Sequence, residues 1–98
     1  MKFMITWKLH PGKFNDALAH FSQMTPKQDQ ADRGSSIKQI GRWHDPVGGT
    51  GVVICETSST EALSNWIMNW NSIMDFDIAP VLDDNEARAL GKKRAKKS

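Results

Sequence analysis

The sequence predicts a small α+β domain, and three observations carry that reading. Apolar residues alternate with a period of two in four separate stretches. They recur at helical spacing in two stretches between those, and the order along the chain is strand, helix, strand, strand, helix, strand. That order is the ferredoxin-like βαββαβ unit, a four-stranded antiparallel sheet with two helices on one face.

Residues 3–9 put Phe3, Ile5, Trp7 and Leu9 on one side and Met4, Thr6 and Lys8 on the other, as a strand with one fully apolar face requires. His10 and Pro11 end it, and Pro11 suits the first turn of a helix because its missing N–H is not needed there. Phe14, Ala17, Leu18, Phe21 and Met24 then predict a helix over about 11–24. Residues 25–36 hold one Ala and no larger apolar group, so they read as a long connection that does not reach the core. QDQAD has room there for one exposed helical turn. Residues 37–43 and 51–57 read as strands paired antiparallel through the turn HDPVGGT. Ser58 with Glu61 forms a capping box ahead of Ala62, Leu63, Trp66, Ile67 and Trp70, the stripe of a second helix ending near Asn71. Residues 73–82 give the last strand, with Met74, Phe76 and Ile78 opposite Asp75, Asp77 and Ala79, and Pro80 marks it as an edge or an end. Asp83 or Asp84 caps one more helical turn through Leu90. The organisation expected is one domain over 1–90 and a basic, disordered tail over 91–98.

Composition narrows the setting. Ninety-eight residues leave room for one core. Mean hydropathy is −0.52 and no apolar run nears the roughly 20 residues a membrane span needs. MKFMITWKLH lacks the build of a secretory leader, and the single Cys55 suits a reducing compartment, so a cytoplasmic location is expected. The net charge of +2 hides a division: five cations fall in KKRAKK, leaving eight Lys or Arg against all eleven Asp or Glu, a net of −3. The second sheet face still holds Met4, Ile40 and part of Val52, Val53 and Ile54, too apolar for water, so a sheet-to-sheet homodimer is expected.

MKFMITW, IGRWHD followed by a Gly-rich turn, and WIMNWNSIMDFDIAPVLDDNEA together resemble a family of bacterial and phage proteins of about this length, catalogued only as a domain of unknown function. The resemblance covers most of residues 1–90. It implies the dimeric α/β-barrel form of the ferredoxin-like fold and brings no established activity. In layout alone the chain is similar to muconolactone-isomerase-type and antibiotic-biosynthesis-monooxygenase-type barrels, which work on small organic molecules without a metal.

In the split unit the strand ends at His10 and His44 fall at the same sheet edge, about 10 Å apart, with Gly48, Gly49 and Gly51 between them and Asp75 arriving from the last strand. A polar rim of His10, His44, Asp45 and Asp75 beside Trp43 is the candidate catalytic set, with His as proton carrier and Asp orienting it. Each member also has a plain structural role: Asp45 starts a turn before Pro46, His10 sits where the first helix begins, and His20 lies on that helix's polar side. Trp7, Trp43, Trp66 and Trp70 either pack the core or line a pocket for a flat ligand, which Met68 and Met74 would soften. Cys55 reads as a buried small hydrophobe. No short His or carboxylate spacing suggests a metal, and no cofactor motif occurs; GGTG is not a phosphate loop, since no helix follows it. Lys92, Lys93, Arg94, Lys96 and Lys97 could contact nucleic acid or an acidic partner. Three readings result: a homodimeric small-molecule-binding protein with a Trp-lined pocket, a cofactor-independent isomerase or monooxygenase-like enzyme, or an interaction protein using the basic tail.

Overall fold

A computed structural model describes residues 1–97. Its elements are β1 (Lys2–Leu9), α1 (Phe14–Ser22), α2 (Pro26–Arg33), β2 (Lys38–Asp45), β3 (Thr50–Glu56), α3 (Thr60–Met68), β4 (Met74–Val81) and α4 (Asp84–Lys97). The four strands form one antiparallel sheet in the order β2-β3-β1-β4, the ferredoxin-like order.

β1 lies at the centre because it is the strand with a wholly apolar face. Ile5 is opposite Val53 on one side and Ile78 on the other, and Phe3 is opposite Cys55. Ile5, Val53 and Cys55 are 0%, 2% and 0% exposed. Leu63 and Trp66 of α3 close over them with Ile37, and Ala17 is the buried residue of α1, so helices cover this inner face. Met4, Val52 and Ile54 point the other way.

Three sequence expectations are corrected. Residues 25–36 are not a featureless connection: Thr25 accepts a hydrogen bond from the Gln28 amide while the Gln28 side chain accepts one from the Thr25 amide, and Pro26 opens α2. The helix ends on Gly34 at φ 87°, a conformation that favours glycine. α3 is capped by Ser59, whose hydroxyl accepts from the Ala62 amide, one residue later than Ser58. The chain after Leu90 is not a released tail. α4 starts at a reciprocal Asp83–Glu86 capping box and stays helical through Gly91 as far as Lys97, with no residue buried; Ser98 lies outside the described residues. Lys2 ties its start to the sheet through Glu56, Asp83 and Glu86 at 3.1–3.6 Å.

No helix is long and apolar enough to cross a membrane among the described residues.

Candidate functional site

β2 decides where the candidate side chains go. Its pairing with β3 slips at a bulge between Gln39 and Gly41, after which Arg42 is opposite Val53 and His44 opposite Gly51. Arg42 and His44 therefore face inward, and Trp43 faces outward. Gly51 is also opposite Trp7. A methyl group at Gly51 would overlap the Trp7 indole, so the bare backbone lets the Trp7 and His44 rings meet edge-on at 5.4 Å. Phe14 lies equally close over Gly49. Of the three glycines expected to leave backbone open to a ligand, Gly49 and Gly51 are covered by aromatic rings and Gly48 by the Asp45 carboxylate.

Between α1, α3 and the inner face is a cavity of about 100 Å³. Its apolar walls include Trp7, Phe14, Ala17, Phe21, Trp70 and Phe76. Trp66 and Met74 also line it, whereas Trp43 does not; that ring is 61% exposed and lies over Gly41 on the outer face. Met68 is 69% exposed and takes no part. Three of the four tryptophans thus converge, and the fourth is separated by the sheet.

The polar wall combines Arg42, His44 and Asp45 of β2 with Asp29 and Asp32 of α2, a helix the sequence pattern did not connect to the core. Asp29 accepts two hydrogen bonds from Arg42, at 3.0 and 3.1 Å, and one from Arg33 at 3.1 Å. Burial works against the charged Asp29 carboxyl, but the hydrogen bonds and charges of Arg42 and Arg33 outweigh it and hold its pKa below the ordinary value. Asp32 accepts the indole N–H of Trp70 at 2.7 Å and of Trp66 at 3.2 Å on Oδ2, and the Asn69 amide on Oδ1. Two carboxylates thus join a helix without any buried residue to β2 and α3. The sequence signals for α2 were its capping pattern, Thr25 with Pro26 and Gln28, and the Asp29–Arg33 pair at i,i+4 spacing; the Arg42 contact carried no local signal.

His44 stands at the mouth of the cavity, between Trp7 and Phe21, whose ring centroid is 4.8 Å away. The Arg42 guanidinium also lies over the Phe21 ring, at 4.7 Å. Partial burial, followed by the Arg42 charge, pushes the His44 pKa down, with Asp29 opposing. The imidazole is accordingly neutral at pH 7.

Of the expected rim of His10, His44, Asp45 and Asp75, the last three border one open surface depression beside Trp43. His10 Nε2 meets Asp75 Oδ1 at 2.9 Å, as the topology implied, but Asp75 shares the outer face with Lys8 and Asp77. Asp45 accepts the Gly48 amide in the β2–β3 turn and has no described contact with either histidine. His20 is exposed with its ring edge-on to Trp70 at 5.6 Å. Cys55 is fully buried, and burial raises its thiol pKa, so it is no nucleophile at neutral pH. No group of three or more His, Cys, Asp or Glu suited to a metal ion occurs among the described residues.

No curated protein matches the chain. Among solved structures it is similar to the L-rhamnose mutarotase FA22100 from Formosa agariphila, at 15% identity and a TM-score of 0.48, over 85% of this chain and 94% of that one. A likeness at this distance says nothing of activity. The family comparison is direct: the domain of unknown function DUF3303 matches residues 1–95, and the chain, almost end to end, belongs to that family.

Proposed function

We propose that this protein is a cytoplasmic homodimer that pairs through its outer sheet face and binds a small, flat organic molecule in the inner cavity. The observation that carries the binding reading is the cavity itself, an aromatic enclosure with charged and titratable groups gathered on one wall. At about 100 Å³, below the roughly 150 Å³ of an apolar cavity that accommodates benzene, it limits the ligand to one ring reaching out through the mouth. Support for the dimer comes from Met4, Ile54, Val52 and Trp43, an apolar strip running from β1 across β3 to β2, with the charged Lys8, Asp75 and Asp77 on its β4 side. A second reading, acid–base catalysis, is favoured by His44 alone, a neutral imidazole at the cavity mouth.

The binding reading is tested by adding toluene and following the tryptophan indole N–H resonances by NMR. Signals from Trp7, Trp66 or Trp70 should shift and saturate. Ala17→Phe places a ring in the cavity from a position 7% exposed on α1. That variant should stay folded by circular dichroism, with a cost of about 1–3 kcal/mol, and lose the toluene response. Unchanged indole signals in the wild type, or an undiminished response in the folded Ala17→Phe variant, would rule the pocket out.

A further inference from the structure

The ligand's chemistry can be narrowed by asking which polar groups on the cavity wall are still able to bond. Asp29 is taken up by three N–H groups of Arg33 and Arg42. Asp32 is taken up by two indoles and the Asn69 amide. A sugar or other polyol needs several acceptors and donors at once, and an organic cation needs a carboxylate; Asp29 and Asp32 are already bonded, and Asp45, the third carboxylate on the lining, is held in the turn by the Gly48 amide. His44 differs. Among the described residues it has ring contacts to Trp7 and Phe21 and no side-chain hydrogen bond, so both imidazole nitrogens remain for a ligand. Arg42, two residues earlier on the same face, spends one N–H from each terminal nitrogen on Asp29 out of five and contributes a fixed positive charge.

We infer that the cavity takes a phenol, an aromatic ring held by Trp7, Phe14, Phe21 and Trp70 with a single ionisable hydroxyl directed to His44 beside Arg42. This rests on the binding reading above and adds the ligand class. The ring satisfies the apolar walls, and one hydroxyl matches the His44 imidazole at the mouth. The hydroxyl donates a hydrogen bond to the neutral imidazole, and when it ionises its proton leaves to solvent and the phenolate is held beside the Arg42 guanidinium. No other reactant is consumed. The charged groups around His44 are Arg42 on its own strand, Asp29 from α2, and Asp45 at the strand end, which is bonded to the Gly48 amide; α1 and β1 contribute only Phe21 and Trp7.

The probe is 4-nitrophenol, whose phenolate is yellow, with toluene and glucose as comparators. On wild-type protein 4-nitrophenol should displace toluene and ionise at a pH lower by about one unit or more than in water, because a cation within a few ångströms favours the charged form. That is a tenfold rise in phenolate at a fixed pH below its solution value. His44→Ala should weaken 4-nitrophenol binding by about tenfold relative to toluene, the loss of one hydrogen bond, and His44→Gln, which keeps a hydrogen-bonding side chain, should restore most of it. Binding of 4-nitrophenol with its solution ionisation, an undiminished preference for it over toluene in His44→Ala, or displacement of toluene by glucose would overturn the phenol assignment and leave the pocket standing. Failure of toluene and 4-nitrophenol alike to move the indole signals would overturn both.

Discussion

Trp43 and His44 are neighbours in the chain and lie on opposite faces of one sheet, and the two faces differ in kind. On the inner face the helices reduce Ile5, Val53, Cys55, Leu63 and Trp66 to between 0% and 7% exposure, and the carboxylates beside the cavity are bonded within the chain. On the outer face Met4 is 37% and Trp43 61% exposed, with no element of the same chain above them. The inner face encloses a space; the outer face offers an unclosed strip. Pleating alone makes this division, since consecutive residues of a strand point to opposite sides.

The largest effect that would sharpen this contrast is expected on the outer face. Val52→Asp places a charge mid-strip, opposite Thr6 and Trp43, without touching the core. Light scattering at micromolar concentration should read a dimer for the wild type and a folded monomer for the variant; a wild-type monomer would end the dimer proposal. On the inner face, Asp32→Ala leaves the indole N–H groups of Trp66 and Trp70 without their acceptor. The cost should be about 3 kcal/mol, read as a lower denaturation midpoint, because each stranded buried donor forfeits roughly 1–3 kcal/mol. A change below about 0.5 kcal/mol would show that α2 is not held by this carboxylate.

The smallest effect is in pH dependence. His44 is depressed in the folded protein, so the unfolded chain takes up its proton first, and stability should begin to fall as pH drops through the ordinary histidine value of 6.5. Asp29 is also depressed, so its contribution holds above the ordinary value of 3.8 and is lost as pH falls below that, through its lower folded value. Denaturant melts should therefore show two separate acid losses, and His44→Gln should remove the first while leaving the second. A variant profile that keeps the near-neutral loss would assign it elsewhere.

Much of the fold was legible because its determinants are local. The alternation in residues 3–9, the helical stripe from Phe14 to Phe21 and the Asp83 cap each report on a few neighbouring residues, and each has its counterpart in the structure. Residues 25–36 were misread because core-seeking periodicity was the criterion, and α2 has no apolar face; a capping box and ionic contacts hold it instead. The same kind of omission hid Arg42, which owes its importance to Asp29 thirteen residues away.

The sequence by itself determined the order of elements, the apolar face of β1 and the residues able to cap helices. Only the tertiary structure decided that His44 faces the cavity while Trp43 does not, that Asp29 and Asp32 join Arg42 and His44 on its polar wall, and that His10 is the histidine that meets Asp75. The reason is physical. Periodicity and caps are set by contacts within a few residues, whereas the phase of β2 depends on a one-residue bulge against β3, and a carboxylate's partners depend on which distant strand or helix is packed beside it.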